Sequence, residues 1–332
     1  MAQMKYFYEL TISSSPHAHS PVTTQTIMRD VLIALIPAML GSIYFFGFRS
    51  LLVTLVSAAA CVFFEWGFCK VRKLHCKTYD LSAVVTGVLL AFVCPVTIPY
   101  WTIILGDFFA IVLVKMLFGG LGKNIVNPAL AGRAFLFSWP VLMSNWVKVG
   151  FDNAAGLLST ADAVTAATPM SAMHQGALPE ESILDMFLGN IGGCIGETSA
   201  LLLIIGFVYL LYRKVITARI PLAYIGTVAI LAFLFPQSND RIAWMAAQVF
   251  GGGLMLGAIF MATDYVTSPL TKLGQIVYGI GCGIITILIR YFGGYSEGVT
   301  YAILCMNACA VLLDKIGRPV KFGAPKKAAA KK

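Results

Sequence analysis

Charge is what this sequence has least of. Of its 332 residues only 12% are Asp, Glu, Lys or Arg, against roughly 25% in an ordinary water-soluble domain. That deficit excludes a globular surface facing water on all sides. Histidine is scarcer still, at four residues. The eight cysteines stand singly, without a CxxC pair, which removes the usual thiol spacing of a zinc or redox centre. Cys305 and Cys309 lie one helical turn apart with no His or acid beside them, so they read as small buried hydrophobes. No basic, apolar leader opens the chain: the first 28 residues are polar, with Ser13-Ser14-Ser15-Pro16 and a lone His17-x-His19. They read as a solvated tail, without a cleavable signal peptide.

In place of charge there is hydrocarbon. Hydrophobic residues make up 58% of the chain and the mean hydropathy is +0.82. A helix needs about 20 apolar residues to cross the bilayer, and runs of that kind recur through most of the sequence. The expected fold is an all-α polytopic membrane protein of about ten spans, at 29–47, 50–69, 81–96, 100–118, 125–147, 190–212, 219–236, 243–262, 273–291 and 298–315. Pro95, Pro128 and Pro140 interrupt the third and fifth.

The net charge of +9 points away from nucleic acid once its placement is seen. With the N-terminus inside, twenty of the 24 lysines and arginines fall in cytoplasmic segments, as the positive-inside rule requires. Arg49, Lys148, Arg241 and Arg290 are the exceptions. The division is a cytoplasmic segment 1–28, a first membrane half 29–147, an outer-face loop 148–189, a second half 190–315 and a basic cytoplasmic tail 316–332. The tail suits anionic lipid.

Two strings recur at nearly equal offsets: Val96-Thr97-Ile98-Pro99 with Val266-Thr267-Ser268-Pro269, and Phe118-Gly119-Gly120 with Phe292-Gly293-Gly294. Five spans per half then cross in opposite directions, a 5+5 inverted repeat with N-in, C-in topology. Such repeats place polar, broken-helix sites at the interface between halves, and Pro95, Pro99, Pro128 and Pro269 are the breakers.

The outer loop holds Asp162-Ala163-Val164-Thr165-Ala166-Ala167-Thr168-Pro169-Met170. Small neighbours leave the Thr168 hydroxyl open, and Pro169 biases Thr168 towards extended backbone. By spacing alone this is a Thr-Pro turn. The segment resembles the flavin-attachment motif Asp-x-x-Ser/Thr-Gly-Ala-Thr, in which a transferase esterifies FMN phosphate to the last threonine. Ala166 stands where the motif has glycine, and Thr165 where it more often has serine. Ile27-Met28-Arg29-Asp30, Asn124-Ile125-Val126-Asn127-Pro128-Ala129, Ala262-Thr263-Asp264-Tyr265-Val266-Thr267-Ser268-Pro269 and Tyr301-Ala302-Ile303-Leu304 extend the likeness. Over essentially its whole length the chain resembles the RnfD/NqrB family of membrane subunits, and its short N-terminus is nearer the RnfD branch.

The resemblance implies a subunit of an ion-translocating oxidoreductase of the inner membrane. Such a complex moves electrons between ferredoxin and NAD, coupled to Na⁺ or H⁺ transport. It implies covalent FMN on Thr168, with Asp162, Thr165, Ala166, Ala167, Pro169 and Met170 forming the attachment segment on the outer side. It further implies a noncovalent riboflavin, partner subunits A, B, C, E and G, and a flavin transferase. Thr168 is then an anchor; no catalytic residue or metal is expected. Asn124, Asn127, Arg133, Asp107, Asp264 and Thr267 are candidates for a second flavin or an ion path, since ionisable groups at membrane depth are costly unless used. Glu65 and Glu197 are also ionisable but read as near enough to an interface to be solvated. Arg133 suits a flavin phosphate, an anionic lipid or an ion pair. Alternative readings are an NqrB-like subunit of a Na⁺-translocating NADH:quinone reductase and a stand-alone inverted-repeat channel or transporter.

Overall fold

The computed structural model describes residues 22–73, 78–143, 146, 168–179, 181–197, 199–295 and 297–315. Among them there is no β-strand. Helix α1 (Thr24–Phe46) starts at a reciprocal cap in which Thr23 and Thr26 answer each other's backbone N–H. It stops at Gly47, whose φ of +77° turns the chain directly into α2 (Phe48–Val71). Asp80 accepts from the backbone N–H of Ser82, where α3 (Ser82–Phe92) begins. After Pro95 and Pro99 the chain re-enters as α4 (Tyr100–Phe108), which continues as a π-helix over Phe109–Met116. Helices α5 (Pro128–Leu136) and α6 (Pro140–Met143) complete the first half.

Two short helices, α7 (Pro169–His174) and α8 (Ile183–Leu188), precede the second half. There α9 (Ala200–Tyr212), α10 (Arg219–Leu234) and α11 (Arg241–Phe250) follow in turn. Gly252 and Gly253, at φ +64° and +67°, turn α11 through 58° into α12 (Leu254–Leu256) and its π-helical continuation Gly257–Met261. Helices α13 (Lys272–Phe292) and α14 (Val299–Leu313) end the described chain.

The halves pack in parallel ways. Helix α2 lies against α3 and α4 as α10 lies against α11 and α13, and α4 meets α5 as α13 meets α14. Across the interface like meets like: α1 packs on α9, and α5 on α14. Asp30 of α1 pairs with Arg213 after α9 at 3.1 Å, and this carboxylate raises the guanidinium above its ordinary range.

Polarity is arranged for a non-aqueous solvent. Ser57, Asp107, Thr286 and Asn307 are buried, while Leu40, Phe63, Leu222, Leu288 and Val311 stand exposed. Large outward apolar surface of this extent marks contact with lipid or another protein. Helices α1, α2 and α13 are each long and apolar enough to cross a membrane, and α11 with α12 qualifies as one bent pair. Helices α3, α9, α10 and α14 are shorter and apolar.

The fifth expected span, 125–147, is broken at its prolines, Pro128 and Pro140. Its regular part, α5, has nine residues, about 14 Å of rise at 1.5 Å per residue. Pro128 sits in its first turn. Pro140 has no N–H to continue the ladder, and its ring would meet the carbonyl of residue 136.

Candidate functional site

Thr168 immediately precedes α7, with φ −71° and ψ 150°, the extended backbone that a following proline favours. Its side chain makes no capping bond. The expectation that it stands open is corrected: Thr168 is 6% exposed. The cause lies downstream, where Pro169 and Met170 are buried with it. Met170 fits the α11–α12 bend so closely that a Cβ on Gly252 would come within 2.7 Å of its Cγ. Asp162, Thr165, Ala166 and Ala167 lie outside the described residues.

Thr168 lines a pocket of about 300 Å³ with Gly192, Gly193, Gly252 and Gly253. At Gly253 a Cβ would fall 2.4 Å from Glu197 Oε1, so only glycine fits against the wall. Glu197 and Glu297 contribute that wall, and Arg133 joins them. Arg133 Nη1 donates to Glu197 Oε1 at 3.1 Å, and its Nη2 to Glu297 and to Cys194 Sγ at 3.5 Å. At 1% exposure this guanidinium needs its partners, because an unpaired buried charge is strongly unfavourable. Of the three partners considered for Arg133, the structure supplies the ion pair. Glu197 is buried in that pair rather than solvated.

A second cation stands behind the same pocket. Arg290 Nη1 donates to Gln248 O at 2.6 Å and to Gln248 Oε1 at 2.9 Å. Its Nη2 reaches Gly251 O at 3.1 Å and Gly252 O at 3.2 Å. It therefore caps the C-terminus of α11, where carbonyl dipoles favour positive charge. Among the described residues no carboxylate makes a salt bridge with it.

The charged side chains that line this pocket are Glu197 and Glu297, both held by Arg133. The space they leave is far smaller than an isoalloxazine ring, so a flavin would extend beyond it.

The second candidate set divides. Asn124, Asn127 and Asp264 share a cleft of about 760 Å³ between the halves, together with Lys115, Thr86 and Tyr265. Thr267 is tied to it, donating to Asp264 Oδ2 at 3.1 Å. Asn127 caps α5, accepting from Ala129 N at 3.0 Å. Arg133 and Asp107 do not line this cleft.

Asp107 is fully buried, with Ser57 Oγ 2.7 Å and Cys61 Sγ 3.2 Å from its Oδ1. Glu65, expected near solvent, is buried and accepts from Lys115 Nζ at 3.0 Å. Lys115 and Arg133, both counted with the cytoplasmic loops, are interior ion-pair members. Sequence reasoning missed Lys115, Glu297 and Arg290. Two of them left a signal: Lys115 stands among Ile111, Val112, Leu113, Val114 and Met116, and Arg290 follows Ile287, Leu288 and Ile289 and falls outside the cytoplasmic count.

An all-helical fold with broken helices, buried ion pairs and an apolar exterior marks an integral membrane protein. The family model described as the NQR2, RnfD, RnfE family matches residues 11–323, and the chain belongs to that family. It is 45% identical over 323 residues, 96% of each chain, to the D-type subunit of the Na(+)-translocating ferredoxin:NAD(+) oxidoreductase complex of Acetobacterium woodii. It is 44% identical to the proton-translocating counterpart from Clostridium ljungdahlii, covering 94% of this chain and 96% of that one. To the D-type subunit of the ion-translocating oxidoreductase complex of Aeromonas salmonicida it is 34% identical, over 95% of this chain and 99% of that one.

Proposed function

We propose that this chain is the D-type membrane subunit of an ion-translocating ferredoxin:NAD oxidoreductase. It carries FMN covalently on Thr168, at the outer face of the inner membrane. Full-length similarity to two such subunits supports the complex. The observation that carries the attachment site is Thr168 itself, the last residue of the attachment-like segment, held in extended backbone immediately before α7. Ten spans in a 5+5 inverted repeat, N-in and C-in, account for the paired packing of the halves. Subunits A, B, C, E and G and a flavin transferase are its partners.

Each residue has a definite task in this reading. The Thr168 hydroxyl is the point of esterification. Pro169 and Met170 fix it against the α11–α12 bend. Arg290 sets a positive field on that side, while Arg133 is neutralised by Glu197 and Glu297. The flavin, when attached, supplies the electron-carrying chemistry, and the protein supplies placement and electrostatics. A covalent tether keeps that carrier at a constant position in a relay. The cleft at Asn124, Asn127 and Asp264, between the halves, is the candidate place for a noncovalent riboflavin.

The test is mass spectrometry of the peptide containing Thr168 from the matured complex, beside in-gel flavin fluorescence. Thr168→Val should abolish both the added mass and the fluorescence while leaving the subunit in the membrane. A fluorescent Thr168→Val band would place the flavin elsewhere.

A further inference from the structure

The first half contains a buried polar seam that the flavin site does not use. Ser57, Cys61 and Glu65 recur every four residues on α2, one face of that helix. They look towards Asp107 and Lys115 on α4 and its π-helical continuation. At the open end, Lys115 Nζ donates to Glu65 Oε2 at 3.0 Å and to Ser82 Oγ at 2.7 Å. Ser82 in turn donates to Asp80 Oδ1 at 2.6 Å. Glu65 and Asp80 form part of the wall of a cleft of about 1540 Å³. At the closed end stands Asp107, with no exposed surface and with Oδ2 meeting no donor.

The contacts around Asp107 offer little to hold a charge there. Ser57 Oγ lies 2.8 Å from Gly87 O and donates to Asp107 Oδ1 at 2.7 Å. A serine hydroxyl has one hydrogen, shared here between two acceptors, and the other donor at Oδ1 is the weak Cys61 thiol. A buried carboxylate without a paired cation is strongly unfavourable. A neutral carboxyl explains how Asp107 exists without a cation beside it, since no salt bridge reaches it among the described residues.

We infer that Asp107 is a proton-binding site inside this subunit, loaded from the face on which the Glu65–Asp80 cleft opens. The proton comes from water in that cleft and rests on the carboxyl of Asp107, beside Ser57 and Cys61. Glu65, Lys115, Cys61 and Asp80 are the other titratable groups along the route. The proton site rests on burial and on the contacts at the carboxyl; its use in ion transport rests on the function proposed above.

Infrared difference spectroscopy of the assembled complex in membranes, with ¹³C-carboxyl aspartate, tests this. The wild type should show a protonated-aspartate carbonyl band that moves on transfer to D₂O and is missing from Asp107→Asn. Asp107→Glu should keep a carboxylic-acid band, moved out of the aspartate region. If Asp107→Asn does not assemble, the isotope-labelled wild-type band decides alone. No protonated-aspartate band, or one that ignores D₂O, overturns the proposal; so does a band erased by Na⁺ at constant pH, which would make this a sodium site. In vesicles, Asp107→Asn should lose most proton uptake per electron transferred and Asp107→Glu should recover it. Uptake equal to wild type in Asp107→Asn overturns the transport role. A wild-type complex that moves no ions sinks the functional reading and leaves the infrared result standing.

Discussion

Asn127 holds the two halves of the protein together with one side chain. Its Oδ1 accepts from Ala129 N at 3.0 Å and so caps α5, while its Nδ2 donates to Met261 O at 3.2 Å in the second half. Met261 ends the π-helical stretch after the α11–α12 bend, so a single amide joins the broken element of each half. An N-cap is worth about 0.5–2 kcal/mol, and a buried hydrogen bond adds roughly 1 kcal/mol.

Asn127→Ala is therefore expected to destabilise the folded subunit by about 1–3 kcal/mol, read as a lower thermal midpoint in detergent. Asn127→Asp keeps the capping oxygen and loses the donor to Met261, so it should fall between wild type and alanine. An aspartate variant as unstable as alanine would mean that the cap contributes nothing here.

The Lys115–Glu65 pair makes a sharper prediction. Both partners are buried, at 2% and 5% exposure. Removing one partner of a buried pair costs about 3–5 kcal/mol, whereas replacing both with apolar groups of similar size can be neutral. Lys115→Met should accumulate poorly in membranes, and Lys115→Met with Glu65→Leu should accumulate better than either single change. If the double variant is worse than both singles, the pair has a role beyond mutual neutralisation.

These pairings show how far the sequence could be read. Composition and apolar run length marked the chain as all-helical and apolar, as the described residues are, because burial away from water leaves a strong one-dimensional trace. The prolines marked the breaks: Pro99 stands immediately before α4, and Pro128 opens α5. Partnership was illegible. Arg133 finds Glu197 and Glu297 at separations of 64 and 164 residues, and no local pattern announces such contacts. The π-helical turn over Phe109–Met116 shifts the helix phase, so spacing alone could not bring Lys115 round to Glu65. Thr168 was singled out by its motif, but its burial beside Met170, which packs on Gly252, depends on contacts across the chain.

Gly87 tests the seam from its packing side. A Cβ there would lie 2.7 Å from the Ala58 Cα and 2.8 Å from Ser57 O, both backbone atoms that cannot swing aside. Gly87→Ala should force α2 and α3 apart and lengthen the Ser57 to Gly87 O contact. The expected result is a loss of thermal stability of about 1–3 kcal/mol, in the range of an overpacked core. An alanine variant with unchanged stability would show that the two helices approach less closely than 2.8 Å implies.

Arg290 offers the last test, because capping a helix and compensating a phosphate predict different outcomes. As a cap for the carbonyls of Gln248, Gly251 and Gly252, it needs donors, which Arg290→Lys supplies in part and Arg290→Gln supplies without charge. As the positive field beside the Thr168 pocket it needs charge. With flavin on Thr168 as proposed, potentiometric titration separates the two: loss of a nearby positive charge makes adding an electron harder in a low-dielectric site. Arg290→Gln should retain flavin by mass and shift its midpoint potential to more negative values, and Arg290→Lys should lie close to wild type. Equal potentials in all three proteins, with thermal stability falling in step with the lost donors, would assign Arg290 to the bend alone.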